Sequence, residues 1–216
     1  MIDPSTGMLV PERAAQNSTR PLWLRAGLLT ASFVALLYVI EAVDVATGLR
    51  LDNAGIEPRE VDGLRGIAFA PLLHHGWDHL FANTGPILVL GFVVMMSGIG
   101  RGLAATAVIW IVGGFGTWLT GGALSIHVGA SGLVFGWLAY LIVRGVFTRS
   151  LLQLLLGVLV LLVYGSVLWG VLPGQEGISW QGHLFGAVGG VIAAWVLASD
   201  VRRARRTGDS ATLAPR

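Results

Sequence analysis

Long apolar runs separated by short polar segments dominate the pattern of this sequence. Each run is close to the ~20 residues that a helix needs to cross a ~30 Å hydrocarbon layer. Because backbone polar groups in lipid must be satisfied within the segment, such runs predict helices. The predicted spans are residues 22–43, 79–98, 102–122, 131–147, 150–171 and 182–199. The pattern therefore predicts an all-α integral membrane protein with six transmembrane helices.

The composition is typical of a membrane protein, and it excludes some catalytic mechanisms. Of the 216 residues, 54% are hydrophobic and 12% are charged, and the mean hydropathy is +0.74. The 31 glycines predict a tight bundle, since small residues let helix backbones approach closely in lipid. The chain has no cysteine and no lysine, which excludes thiolate chemistry and a lysine base.

The distribution of charge predicts the orientation of the helices. Three parts are expected: a short cytoplasmic N-terminal segment (1–21), a membrane domain (22–200) and a basic cytoplasmic tail (201–216). An even number of spans places both termini on one side, which then holds all but three of the arginines. The three exceptions are Arg50, Arg59 and Arg65. By the positive-inside rule both termini are cytoplasmic, in the plasma membrane.

The basic run after the last span is typical of a membrane anchor. Four arginines directly follow the apolar residues, at positions 202, 203, 205 and 206. Arginines in this position usually hold a helix end against anionic lipid. We therefore expect the lipid bilayer, and no nucleic acid, to be their partner.

Four polar residues lie where lipid makes polar side chains costly, and each is a candidate functional residue. His79 and Asn83 stand four apart on one face of the second span, Ser131 begins the fourth and His183 begins the sixth. These three spans all start on the non-cytoplasmic side, so the four side chains are expected at similar depth. Taken singly, each could serve the structure alone, as a helix cap, a close-packing residue or a partner in an interhelical hydrogen bond.

Elimination favours a serine and a histidine as the reactive pair. The zinc motif H-E-x-x-H is absent, and spans two to six lack the facing carboxylates that an aspartyl mechanism needs. His183 could take the hydroxyl proton of Ser131, which would then attack a carbonyl. No carboxylate is evident as a third member, and Phe135 could stack on the imidazole instead. His79, Asn83 and the backbone N–H of Ser131 could stabilise the oxyanion.

Three motifs in this order resemble the rhomboid intramembrane proteases. The segment H-G-W-D-H-L-F-A-N contains the family's H-x-x-x-N as His79 and Asn83. G-A-S-G matches G-x-S-G around Ser131, and H-L-F-G-A-V-G-G matches H-x-x-G-x-x-x-G from His183. His74 resembles a further histidine of these enzymes. The resemblance covers roughly residues 60–200, and it departs from the family at Leu64-Arg65, where a Trp-Arg pair is common.

The resemblance implies a six-helix rhomboid-like bundle and an activity. Such an enzyme is a serine endopeptidase that cleaves transmembrane segments of membrane protein substrates with a Ser-His dyad and no cofactor or metal. Substrates would enter sideways under a mobile cap, here residues 172–182. Two alternatives stay open: a rhomboid-like binding protein without activity, and a small transporter or channel. The oligomeric state is not determined by the sequence.

Overall fold

Six helices of the computed structural model are long and apolar enough to cross a membrane, among residues 20–174 and 177–212, which the structure describes. We call them α1 (Leu22–Thr47), α3 (Trp77–Met95), α4 (Ile99–Thr120), α5 (Ser131–Thr148), α6 (Leu151–Val171) and α7 (Trp180–Thr212). A short helix, α2 (Gly63–Phe69), lies in the first loop. No strand occurs in the described residues. The prediction of an all-α bundle with six spans is confirmed.

The ends of the spans differ by a few residues from the prediction, and one difference is larger. Helix α7 does not stop at 199 but continues through the basic run to Thr212. The predicted N-terminal segment lies outside the described residues apart from its last two positions, as do residues 213–216. Their assignment to separate segments remains a prediction.

Helix α5 is central to the bundle, whereas α6 is peripheral. In the most apolar window of α5, 61% of the residues are buried inside the protein, against 11% for α6. Gly157 of α6 nevertheless approaches α5 closely, since an added Cβ would lie 2.8 Å from the carbonyl oxygen of Ile142. Most of the α6 surface is therefore free to face lipid, and α5 is held on several sides.

Glycines bring α5 and α7 into backbone contact. A Cβ on Gly186 would lie 2.2 Å from the carbonyl oxygen of Gly132, and one on Gly190 would lie 2.1 Å from that of Gly136. Real Cβ atoms do not approach a backbone oxygen so closely, so only glycine allows this separation. These glycines therefore set the distance between the helix that begins with Ser131 and the helix that carries His183.

Helix α3 changes its winding halfway along. Pro86 lies inside it, and the following residues, Ile87–Gly91, form a π-helical turn before the helix resumes as Phe92–Met95. Proline supplies no N–H and crowds the preceding turn, which disturbs the regular ladder of hydrogen bonds. The helix thus has a break just below the turn that carries Asn83.

The first loop holds structure of its own, and it packs on the segment that leads into α5. Ile56 and His127 pair as an isolated antiparallel bridge, with N···O distances of 2.9 and 3.0 Å. Arg59 donates from Nη1 to the carbonyl oxygen of Gly121 at 2.7 Å. Arg65 instead forms an exposed ion pair with Asp62 at 3.6 Å. Arg59, and not Arg65, therefore anchors this loop.

Candidate active site

Ser131 and His183 meet at the beginnings of α5 and α7. The distance from Ser131 Oγ to His183 Nε2 is 2.8 Å. Ser131 is the first residue of α5 and is half-buried, while His183 lies in the first turn of α7 and is buried. The close packing of Gly186 against Gly132 places the two side chains at this distance.

The other ring nitrogen of His183 determines the direction of this hydrogen bond. His183 Nδ1 lies 2.9 Å from the carbonyl oxygen of Gly170, in the last turn of α6. A carbonyl only accepts, so Nδ1 carries the hydrogen and the Nε2 of a neutral ring has a free lone pair. Ser131 therefore donates its hydroxyl hydrogen to Nε2, the arrangement that a general base requires. A backbone carbonyl here has the orienting role that a carboxylate has in a triad.

Phe135 holds the imidazole from its flat side. Its ring stacks on His183 with centroids 4.0 Å apart and planes inclined by 9°. Phe135 is buried and lies one turn after Ser131 on α5. An added Cβ on Gly170 would lie 2.8 Å from Phe135 Cζ and 3.0 Å from His183 Nδ1, so this glycine fits tightly against both rings. The structure thus contains the stacking contact that the sequence suggested.

His79 and Asn83 lie on the same cavity as the Ser–His pair. The cavity has a volume of about 540 Å³ and its lining includes His79, Asn83, Ser131, Phe135 and His183. It also reaches exposed His75, so water has a route to the site. The four candidate residues, from three helices, are thus brought to one cavity.

The ring of His79 lies against the turn before Ser131. An added Cβ on Gly129 would lie 2.6 Å from His79 Cε1, and Gly129 has φ +118°, a conformation that side chains rarely adopt. The backbone N–H of His75 donates to His79 Nδ1 at 3.4 Å, which leaves the hydrogen of the neutral ring on Nε2. Asn83 Nδ2 donates one hydrogen to the carbonyl oxygen of His79 at 2.9 Å and retains a second.

His74 supports the same turn from below. Its Nε2 accepts from the backbone N–H of Ala130 at a long 3.4 Å, and its buried Nδ1 has no partner among the described residues. Burial, with smaller contributions from His79 and His75, lowers the pKa of His74 to about 4. His74 is therefore neutral at physiological pH.

Sequence reasoning missed two sets of residues at this site. The first is the carbonyl of Gly170, which accepts from His183 Nδ1. No sequence motif marks it, because every residue carries the same backbone group. The second set is His127 with Ser125 and Ser179, which form a chain of hydrogen bonds beside the Ser–His pair. A histidine in the loop that precedes the G-A-S-G segment is the one signal that could have drawn attention to it.

The six apolar helices of the described residues define the class as an integral membrane protein, and in it a serine and a histidine are in hydrogen-bond contact. Residues 62–200 match the family described as the Rhomboid domain. The chain therefore belongs to the rhomboid family, which implies an intramembrane protease.

Relatives among known proteins are similar over much of the chain. It is 52% identical over 198 residues to the uncharacterized protein Rv1337 of Mycobacterium tuberculosis, covering 88% of this chain and 82% of that protein. It is 44% identical over 223 residues to the uncharacterized protein ML1171 of Mycobacterium leprae, covering 97% and 88%. The putative rhomboid protease YdcA of Bacillus subtilis is 30% identical over 134 residues, covering 61% and 66%. No solved structure matches.

Proposed function

We propose that this protein is an intramembrane serine endopeptidase in which Ser131 is the nucleophile and His183 the general base. The observation that carries the proposal is the 2.8 Å contact of Ser131 Oγ with His183 Nε2, together with the Nδ1 contact to Gly170. A serine that only capped α5 would not need a histidine whose free lone pair faces its hydroxyl. Stacking on Phe135 further supports a ring held in one orientation.

The reaction follows from this arrangement. Ser131 Oγ bonds to the scissile carbonyl carbon as its proton passes to His183 Nε2, and the carbonyl oxygen becomes an oxyanion. The C–N bond then breaks while Nε2 protonates the leaving amine. Water then attacks the acyl carbon as it gives a proton to the same nitrogen. The bond from this carbon to Ser131 Oγ breaks, and Nε2 returns the proton to Oγ. The imidazolium that forms twice in this cycle is stabilised by the carbonyl of Gly170.

Three donors are suited to stabilise the oxyanion. They are His79 Nε2–H, the second hydrogen of Asn83 Nδ2 and the backbone N–H of Ser131, which as the first residue of α5 has no acceptor within its helix. Their support is the position of the His79 ring against Gly129 and the place of Asn83 on the cavity. Loss of one such donor typically costs about 3 kcal/mol of transition-state stabilisation. Asn83→Ala should therefore weaken cleavage, to the extent that the other donors do not compensate.

The substrates that fit such a site are transmembrane segments of other proteins, in the plasma membrane. A buried site at the beginnings of membrane helices can reach a bond that lies within the bilayer. The distribution of arginines supports cytoplasmic termini. Because the chain lacks cysteine, single cysteines can test this orientation. In intact cells a membrane-impermeant maleimide should label Asn53→Cys in the first loop but not Ser150→Cys between α5 and α6; the reverse pattern would overturn the orientation.

Cleavage of a test transmembrane substrate in proteoliposomes decides the function. Ser131→Ala and His183→Ala should each abolish cleavage while the protein remains folded. Full activity of either variant would refute the assignment. A wild-type protein that binds the substrate but never cleaves it would indicate a binding protein, and solute flux that persists in Ser131→Ala would indicate a transporter.

A further inference from the structure

A second side-chain contact joins the segments before α5 and α7, next to the contact of Ser131 with His183. His127 Nδ1 lies 2.7 Å from Ser179 Oγ, and His127 Nε2 lies 2.9 Å from Ser125 Oγ. His127 and Ser179 are 52 residues apart in the chain, as are Ser131 and His183. The two pairs therefore join the same two segments at equivalent positions, four residues apart.

The neighbours of this group fix the direction of each hydrogen bond. Ser125 Oγ lies 2.7 Å from the carbonyl oxygen of Gly122 and must donate its one hydrogen to it. Ser125 can then only accept from His127, so Nε2 carries the hydrogen of the neutral ring. Nδ1 is consequently an acceptor, and Ser179 donates to it. Burial lowers the pKa of His127, which favours this neutral form.

Ser179 also caps the helix that carries His183. Its Oγ accepts from the backbone N–H of Gly182 at 3.2 Å, and its carbonyl oxygen accepts from the backbone N–H of His183 at 3.1 Å. This is the usual geometry of a serine N-cap, which satisfies N–H groups that the first helical turn leaves unpaired. The contact with His127 therefore holds the residue from which α7 begins.

His127 is fixed on its own side of the contact. Its backbone N–H donates to the carbonyl oxygen of Ile56 at 3.0 Å, and its own carbonyl accepts from the N–H of Ile56 at 2.9 Å. Two residues later, the backbone N–H of Gly129 donates to the carbonyl oxygen of Ala70 at 2.8 Å. The first loop thus supports the segment that ends at Ser131, and the His127 ring extends that support to Ser179.

We propose that His127 is a positioning residue that, through Ser179, holds the first turn of α7 so that His183 Nε2 stays within reach of Ser131 Oγ. This inference rests on the proposed function. A displacement of about 1 Å at a reacting pair can cost about 100-fold in rate, so a contact of this kind matters for kcat.

Two substitutions of His127 test the contact with Ser179 separately from the contact with Ser125. The oxygen of Asn stands near the position of Nδ1, so His127→Asn can still accept from Ser179. The amide nitrogen of Gln stands near Nε2, so His127→Gln can still donate to Ser125 but loses Ser179. We expect His127→Gln to lower kcat by about tenfold with KM within about twofold, and His127→Asn to stay within about threefold of wild type.

The assay is cleavage of the test transmembrane substrate, with thermal unfolding measured for each variant. Equal kcat for folded His127→Asn and His127→Gln would overturn the inference. The proposed function would still stand in that case if the wild-type protein cleaves the substrate. A wild-type protein that does not cleave would overturn both. If neither His127 variant folds, Ser179→Thr and Ser179→Ala test the hydroxyl that makes both the contact with His127 and the cap of α7. Threonine keeps this hydroxyl, so equal kcat for the two folded variants would contradict the inference.

Discussion

Replacing Gly186 with alanine should force apart the two helices that bring Ser131 and His183 together. The added Cβ would lie 2.2 Å from the carbonyl oxygen of Gly132, whereas an ordinary contact begins at about 3.4 Å, so the two backbones must move apart by about 1 Å. Gly132 directly follows Ser131, and Gly186 lies one turn after His183. A shift of this size would lengthen the 2.8 Å hydrogen bond between the two side chains beyond useful reach.

Both activity and stability report this change. We expect kcat for the test transmembrane substrate to fall about 100-fold, as for other misplacements of about 1 Å. Overpacking should lower the free energy of unfolding by about 1–3 kcal/mol. Gly113→Ala is the matched control, because its Cβ would face the same glycine from α4 at an ordinary 3.4 Å. If folded Gly186→Ala cleaved as fast as Gly113→Ala, the role given to close packing would be wrong.

Three further predictions concern the surroundings of the reactive pair. Gly129→Ala should lower kcat about tenfold or more, because a Cβ 2.6 Å from His79 Cε1 would displace a proposed oxyanion donor. Phe135→Leu should lower kcat about two- to tenfold, because a stacked ring contributes about 0.5–1.5 kcal/mol beyond its burial. Since the folded pKa of His74 is about 4 against an ordinary 6.5, the unfolded state binds more protons between these values. Stability should therefore fall as pH falls through this window, with His74 contributing up to about 1.4 kcal/mol per pH unit, a contribution that His74→Gln should remove.

Each of these predictions has an outcome that would contradict it. Unchanged kcat in folded Gly129→Ala would mean that His79 is not a donor to the oxyanion. Phe135→Leu with wild-type kcat would show that the ring only fills space. Denaturant titrations at several pH values give the free energy of unfolding. If its pH dependence is the same in His74→Gln and wild type, another group causes the loss of stability at low pH.

The six spans and the meeting of Ser131 with His183 could be predicted because both follow from strong local signals. Apolar runs of membrane length are rare in water-soluble domains, and the parity of the spans places residues at the starts of the second, fourth and sixth spans on one side. The motif H-x-x-G-x-x-x-G that begins at His183 contains Gly186 and Gly190, and the structure shows both in backbone contact with α5.

The hydrogen-bond partners described above depend on the folded geometry, and residue type alone does not indicate them. The partner of His183 Nδ1 is a backbone carbonyl, and the sequence offers one at every residue. Arg59 anchors the first loop through its hydrogen bond to Gly121, whereas Arg65 is exposed beside Asp62. The contact of His127 with Ser179 joins common polar residues from two distant loops, so it could not be predicted from the sequence.

Mass spectrometry of the protein treated with a fluorophosphonate shows whether Ser131 is an activated nucleophile, since the reagent reacts with an activated serine and requires no knowledge of the substrate. We expect a single adduct on Ser131 in the wild-type protein, and none in folded His183→Ala. An adduct on another serine, or labelling of Ser131 at the wild-type rate without His183, would contradict it.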